Sequence, residues 1–180
     1  MIAQHTRLEE SALRRHAAGR KCLVEIGVAE GASALALRQV AHPSAVLYLI
    51  DPYPAGRLPG VCLTKACAQR YVNRSDNATV NFLEDYSHRV SKSWQRSIDF
   101  LFIDGDHSYE ACMKDWNEWS PFVEEGGVVA FHDARTCAGG WAAEDEGPVQ
   151  VVNELFRQQN NPRWKLIDEV DSLVVIQRTA

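Results

Sequence analysis

Short apolar runs ending on an acid, a histidine or a glycine recur along the chain, and the stretches between them repeat their apolar residues at helical spacing. Residues 22–27 (CLVEIG), 46–51 (VLYLID), 78–83 (ATVNFL), 98–103 (IDFLFI) and 126–131 (GGVVAF) have the length and apolar content of strands buried on both faces. Helices are predicted over residues 31–41, 62–74, 87–95 and 108–120; the last carries Ala111, Cys112, Trp116 and Trp119 at helical spacing and stops at Pro121. The two tryptophans are expected in the core. A further helix over 148–158 has proline in its first turn, and strands 164–167 and 173–176, joined by the acidic EVDS, close the pattern. Ahead of these, residues 5–18 predict an amphipathic helix with Leu8, Ala12, Leu13 and Ala17 on one stripe and Gly19 just past its end. It is expected to cover the sheet edge or the mouth of a site. Strand and helix alternate five times before the two final strands, which argues for an α/β fold with a parallel, doubly wound sheet between helical layers.

Composition narrows the class of partner. With 180 residues and 46% apolar content, the chain suits one domain over residues 1–180, of which 1–20 supply the N-terminal helix. A net charge of −5 without any cluster of Lys and Arg offers no general attraction to nucleic acid or to an anionic membrane, so a small molecule is the expected partner. Five cysteines, never spaced C-x-x-C, indicate neither a disulfide framework nor a zinc site, and the reducing cytoplasm is the expected location. The first 21 residues lack the apolar core of a signal peptide, and no stretch approaches a membrane span.

In an open α/β sheet, ligands bind beyond the carboxyl ends of the strands, where this chain puts its acids. Asp104, Asp106 and His107 directly follow one strand, and His132 and Asp133 follow another. If those strands are neighbours, Asp104, His107, His132 and Asp133 converge. Asp106 is either a partner that orients His107 or the N-cap of the next helix. A dinucleotide fingerprint starting at Gly27 would need glycine at positions 29 and 32, which hold alanine, so NAD is disfavoured. Instead, Glu25, Gly27, Gly31 and Ser33 form a turn with an acid and two glycines, where backbone approaches a ligand closely and a carboxylate offers an acceptor. Asp51, ending the second strand, is placed to accept from a ribose diol. His5, His16, His42 and His88 are expected on the surface.

Taken in order, LVEIGVAEGASALAL, LYLIDPYP, FLEDYS, IDFLFIDGDHSYE and GGVVAFHDA resemble the motif series of the class I S-adenosylmethionine-dependent methyltransferases, over roughly residues 20–178. Within that class the chain is most similar to the small metal-dependent O-methyltransferases that include catechol O-methyltransferase, and to the related group with an aspartate followed three residues later by a histidine. The resemblance implies a Rossmann-like, three-layer fold with a seven-stranded sheet in the order 3-2-1-4-5-7-6, the last strand antiparallel. It implies that Glu25, Gly27 and Ser33, with Gly31 in the same turn, surround the methionine end of S-adenosylmethionine. Asp51 would then hold the ribose, and Asp85, Tyr86 and Ser87 would border the adenine. Asp104 would meet both cofactor and metal, His132 and Asp133 would complete the metal set, and His107 would be the general base.

The chemistry agrees with that reading. A neutral hydroxyl attacks a sulfonium methyl poorly; a divalent cation lowers its pKa and fixes its position, and a histidine can take the proton. Two carboxylates suit magnesium or manganese. Relatives of this kind often carry Glu or Asp before the second aspartate, or Asn after it. His132 and Ala134 stand there instead, and imidazole suits manganese, iron, nickel or zinc better than magnesium. Loops 52–60 and 134–146, with Tyr53, Arg57, Arg135 and Trp141, are candidate walls of the acceptor site, and the second subunit of a homodimer is another. The expected acceptor is a hydroxyl of a small biosynthetic molecule, a sugar or a phenol. Two other readings stay open: metal-independent methyl transfer to oxygen or nitrogen, and a non-catalytic nucleoside-binding module.

Overall fold

Each apolar run becomes a strand with a helix packed beside it. The computed structural model describes residues 5–53, 62–138, 140, 142–159 and 161–179. In chain order the elements are α1 (Arg7–Ala17), β1 (Cys22–Ile26), α2 (Ala32–Val40), β2 (Val46–Ile50), α3 (Leu63–Val72), β3 (Thr79–Leu83) and a short α4 (Ser87–Val90). They continue with β4 (Ile98–Ile103), α5 (Tyr109–Trp119), β5 (Val123–Phe131), α6 (Gly147–Val152), β6 (Trp164–Val170) and β7 (Leu173–Arg178). The seven strands form one sheet in the order β3-β2-β1-β4-β5-β7-β6, as the resemblance implies. The pairs among β1 to β5 are parallel, and β7 runs antiparallel to both β5 and β6.

Alternation along each strand sends side chains to two cores. Leu23, Leu47 and Phe100 pack with Ala12 and Leu13 of α1, Leu37 of α2 and Val72 of α3. Val24, Ile50 and Leu101 pack with Trp116 and Trp119 of α5 and Val151 and Val152 of α6. Both tryptophans are core residues, as expected. Gly27, just past β1, has φ +83°, and a Cβ there would lie 1.9 Å from the carbonyl oxygen of Asp104. Only glycine lets the chain leaving β1 pass this close to the chain leaving β4.

Local differences from the sequence expectation have identifiable causes. Leu8 is exposed and Glu9 takes its place on the buried stripe of α1, with Ala12, Leu13 and Ala17. A capping box sets this phase: Thr6 Oγ1 accepts from Glu9 N, and the Glu9 carboxylate accepts from Thr6 N. Ser108, not Asp106, caps α5; the Asp106 carboxylate instead accepts from Ser108 N at 2.8 Å. Much of EVDS is strand, because Glu169 and Val170 pair with Val174 and Leu173, leaving a turn at Asp171–Ser172. The helix expected over 148–158 is α-helical through Val152 and continues as a π-helical turn, Asn153–Gln158.

Candidate active site

Because β1, β2, β4 and β5 are parallel neighbours, their carboxyl ends share one edge of the sheet. A cavity of about 630 Å³ opens along that edge. At one side it is lined by Gly27, Gly31 and Ser33 of the first turn, by Asp51, and by Tyr86 and Ser87. At the other it is lined by Asp104, His107, His132 and Asp133. The volume falls in the range of small-molecule and cofactor sites.

Asp51 is held rigidly at the end of β2. Its Oδ2 accepts from the backbone N–H groups of Val28 and Ala29, both at 3.0 Å, and its Oδ1 accepts from Tyr53 N at 2.8 Å. Glu25, expected to face the methionine end of a cofactor, is not among the lining residues. It is fully buried behind Ser33, whose hydroxyl donates to Glu25 Oε1, and burial raises its pKa far above the usual carboxylate range. Asp85 is also absent from the lining; its carboxylate accepts from Tyr86 N and pairs with Arg89 at 3.2 Å.

The ends of β4 and β5 bring the expected charges together. One ligand atom from each of Asp104, His107 and Asp133 lies within 4.8 Å of the other two. His107 Nε2 is 3.7 Å from Asp104 Oδ1 and 3.8 Å from Asp133 Oδ2. His132, expected as a metal ligand, is not in this trio. It is 3% exposed, with Nδ1 at 3.0 Å from Asp104 Oδ1 and 3.2 Å from Asp133 Oδ2, so its ring bridges the two carboxylates. Asp133 adopts φ +46°, an uncommon conformation for a non-glycine residue of the kind found at functional sites. Its Oδ2 has no hydrogen-bond partner among the described residues although it is buried.

Electrostatics explain how these groups coexist. Burial opposes charge on His132, but the carboxylates of Asp104, Asp133 and Glu9 more than offset it and raise its pKa strongly. Burial would likewise raise Asp104, but hydrogen bonds from His107 and His132 hold it low. The hydrogen bond to Asp104 raises His107 against the opposing effect of burial. Three carboxylates against one imidazolium leave an excess of negative charge. The carboxylate oxygens of Asp104 and Asp133 fit a divalent cation of the magnesium or manganese type, and His107 stands beside them within reach of the same space, as a third ligand or as a base.

Three features of the cavity and its support lay outside the sequence reading. His5 and His88, expected on the surface, line the cavity. Asp115 of α5 lines it too and accepts from the Ser87 hydroxyl, and burial pushes its pKa up to about 6. Glu9 lies 3.6 Å from His132, and although burial would raise its pKa, the nearby His132 ring and hydrogen bonds from Ser172 and Thr6 lower it to about 2. Its signal was an acid at positions i−3 and i−4 to Ala12 and Leu13, on their face of the helix. Conversely, Tyr53 is in the core, and no described residue of 134–146 lines the cavity. Arg57 and Trp141 lie outside the described residues.

A strand-end cofactor cleft on this sheet order defines a class I methyltransferase fold, and the comparisons agree. Residues 24–134 match a family described as a methyltransferase domain. That is more than half of the chain, and the protein belongs to this family as a class I S-adenosylmethionine-dependent methyltransferase resembling the small O-methyltransferases. The O-methyltransferase TomG of Streptomyces achromogenes, involved in tomaymycin synthesis and solved with S-adenosylmethionine, has the same fold: TM-score 0.72 at 15% identity, covering 98% of this chain and 82% of that one. An rRNA methylase from Streptococcus thermophilus superposes with a TM-score of 0.67 at 10% identity, over 100% and 99% of the two chains. An uncharacterized protein of Acanthamoeba polyphaga mimivirus is 47% identical over 36 residues; the match spans 20% of this chain and 16% of that protein's length. No described helix is long and apolar enough to cross a membrane.

Proposed function

We propose that the protein transfers the methyl group of S-adenosylmethionine to a hydroxyl of a small molecule, with a divalent cation held by Asp104 and Asp133 and the proton taken by His107. The observation that carries this reading is the meeting of Asp104, His107 and Asp133 in the same cavity as Asp51, Ser33 and Tyr86. The Asp51 oxygens, fixed by three backbone N–H groups, accept from the ribose hydroxyls. Tyr86, Ser87 and Asp115 form the adenine end, where the Asp115 carboxyl offers an acceptor to the exocyclic amine. Ser33 and the glycine turn border the methionine end, leaving the sulfonium methyl to face the Asp104 side. The cation, when bound, lowers the acceptor's pKa and orients its oxygen. His107, beside both carboxylates, removes the acceptor proton.

The printed activities of structural neighbours include both O-methylation and rRNA methylation. The charges favour a small molecule over RNA. The cavity is lined by Glu30, Asp51, Asp104, Asp106, Asp115 and Asp133 against Lys114 and the His132 imidazolium, and the whole chain carries −5, the reverse of a surface that follows a phosphate backbone. His5 lines the cavity from the N-terminal side, and a second subunit would close off an acceptor of this kind.

Titration of metal-stripped protein with S-adenosylhomocysteine, followed by a methylation assay on a panel of catechols and sugars with and without manganese, tests the reading. Expected are cofactor binding without metal, and turnover that stops with chelator and returns with manganese. Turnover untouched by chelation overturns the cation's part, and absence of cofactor binding by folded, ligand-free protein overturns the whole.

A further inference from the structure

We propose that Glu9, on helix α1, is a positioning residue for the cation site, acting through His132 and Ser172; the inference rests on the cation reading given above. Glu9 is 2% exposed, far from the usual surface setting of a capping-box glutamate. The cap accounts for one of its contacts, the 2.7 Å bond from Thr6 N to Oε2. It does not account for Oε1, which accepts from both the N–H and the hydroxyl of Ser172, at 2.8 and 2.7 Å, across 163 residues of sequence. Nor does it account for His132 Nε2, 3.6 Å from Oε2.

Both of these partners reach the candidate ligands. Ser172 Oγ lies 3.0 Å from Asp133 Oδ1, and His132 Nδ1 lies 3.0 Å from Asp104 Oδ1. A hydroxyl has one proton, so Ser172 donates to Glu9 or to Asp133 but not to both. With the proton turned to Glu9, Asp133 keeps its oxygens for a cation. The Glu9 carboxylate, 3.6 Å from Nε2, also balances the charge of the His132 ring, whose Nδ1 faces Asp104 and Asp133. Glu9 therefore ties the N-terminal helix, the β6–β7 turn and the end of β5 into one support for two ligands. Ser172 and His132 are the groups bonded directly to the candidate ligands, where replacement typically changes metal affinity 10–100-fold, and Glu9 acts on both at once.

Calorimetric titration of the full chain with Mn²⁺, and separately with S-adenosylhomocysteine, tests the role in four proteins: wild type, Glu9→Gln, Ser172→Ala and Ala12→Gly. Gln keeps the size of Glu but turns an N–H₂ toward donors, Ser172→Ala removes the bridge alone, and Ala12→Gly weakens the same helix without touching the network. Expected are a Mn²⁺ dissociation constant raised about 10-fold or more by Glu9→Gln, a rise in the same direction for Ser172→Ala, and no change for Ala12→Gly. S-adenosylhomocysteine affinity stays constant throughout. Unchanged Mn²⁺ affinity in Glu9→Gln overturns the inference. If that variant does not fold, unchanged affinity in Ser172→Ala does so. A Mn²⁺ loss matched by Ala12→Gly also overturns it, since helix stability then suffices. A wild-type protein that binds S-adenosylhomocysteine but no Mn²⁺ overturns the cation reading itself, and with it this inference.

Discussion

At the scale of single residues, His107 and Asp115 show what separate experiments can resolve. As the base, His107 sits beside the ligands without being required to hold the cation. His107→Ala is therefore expected to lower kcat by about 10²–10⁴-fold while Mn²⁺ and S-adenosylhomocysteine affinities stay near wild type. Collapse of Mn²⁺ binding in that variant would move His107 into the ligand set. Asp115 has a folded-state pKa of about 6, raised by burial from 3.8. The folded protein thus holds a proton that the unfolded chain has lost, and stability falls as pH rises through about 4 to 6. Asp115→Asn cannot ionise; at pH 7 it is expected to be more stable than wild type, on the order of 2 kcal/mol, with the gap closing below about pH 4. Urea unfolding at both pH values measures this, and a gap that does not change with pH would contradict it. Asp104, His107 and Asp133 could be read from sequence because they end apolar runs, where the topology places any ligand. Asp115 and Glu9 could not, because each is one of several acids on its helix, and which of them is buried depends on what the helix packs against.

At the scale of elements, the crossing of the β1 and β4 exits is the tightest constraint on the site. Gly27→Ala would put a methyl 1.9 Å from the Asp104 carbonyl oxygen at a φ of +83°. The chain must then move at both strand ends. A loss above about 3 kcal/mol is expected, in the range of severe overpacking, together with weakened S-adenosylhomocysteine binding. Thermal melting and cofactor titration check this; a well-folded variant with normal affinity would show that the turn has slack. Strands and helices were readable from the chain because unbroken apolar runs match strands buried on both faces and helical spacing matches helices buried on one. The phase of α1 was not. Leu8 has the more apolar side chain, yet the capping box and the partners of Glu9 turn the acid inward, a choice made in part by Ser172, 163 residues further along the chain.

At the scale of the whole molecule, the cavity edge is assembled from five separate strand ends and a helix, so cofactor binding is coupled to global folding. S-adenosylhomocysteine at about 100 times its dissociation constant is expected to add about 2.7 kcal/mol to unfolding stability, read as a rise in Tm that grows with ligand concentration. A Tm indifferent to ligand would mean that the unfolded chain binds equally well or that the folded one does not bind. The sheet order has another consequence, for synthesis. The place between β5 and β6 belongs to β7, the last strand to be made, which pairs residues 128–131 with 174–177. A chain leaving the ribosome therefore carries β5 with one bare edge, apolar and next to the candidate ligands, until residues 173–178 have emerged. In that interval a strand from another nascent chain competes for the same edge. Pausing during translation of that final segment should therefore lower the yield of soluble protein without altering the finished fold.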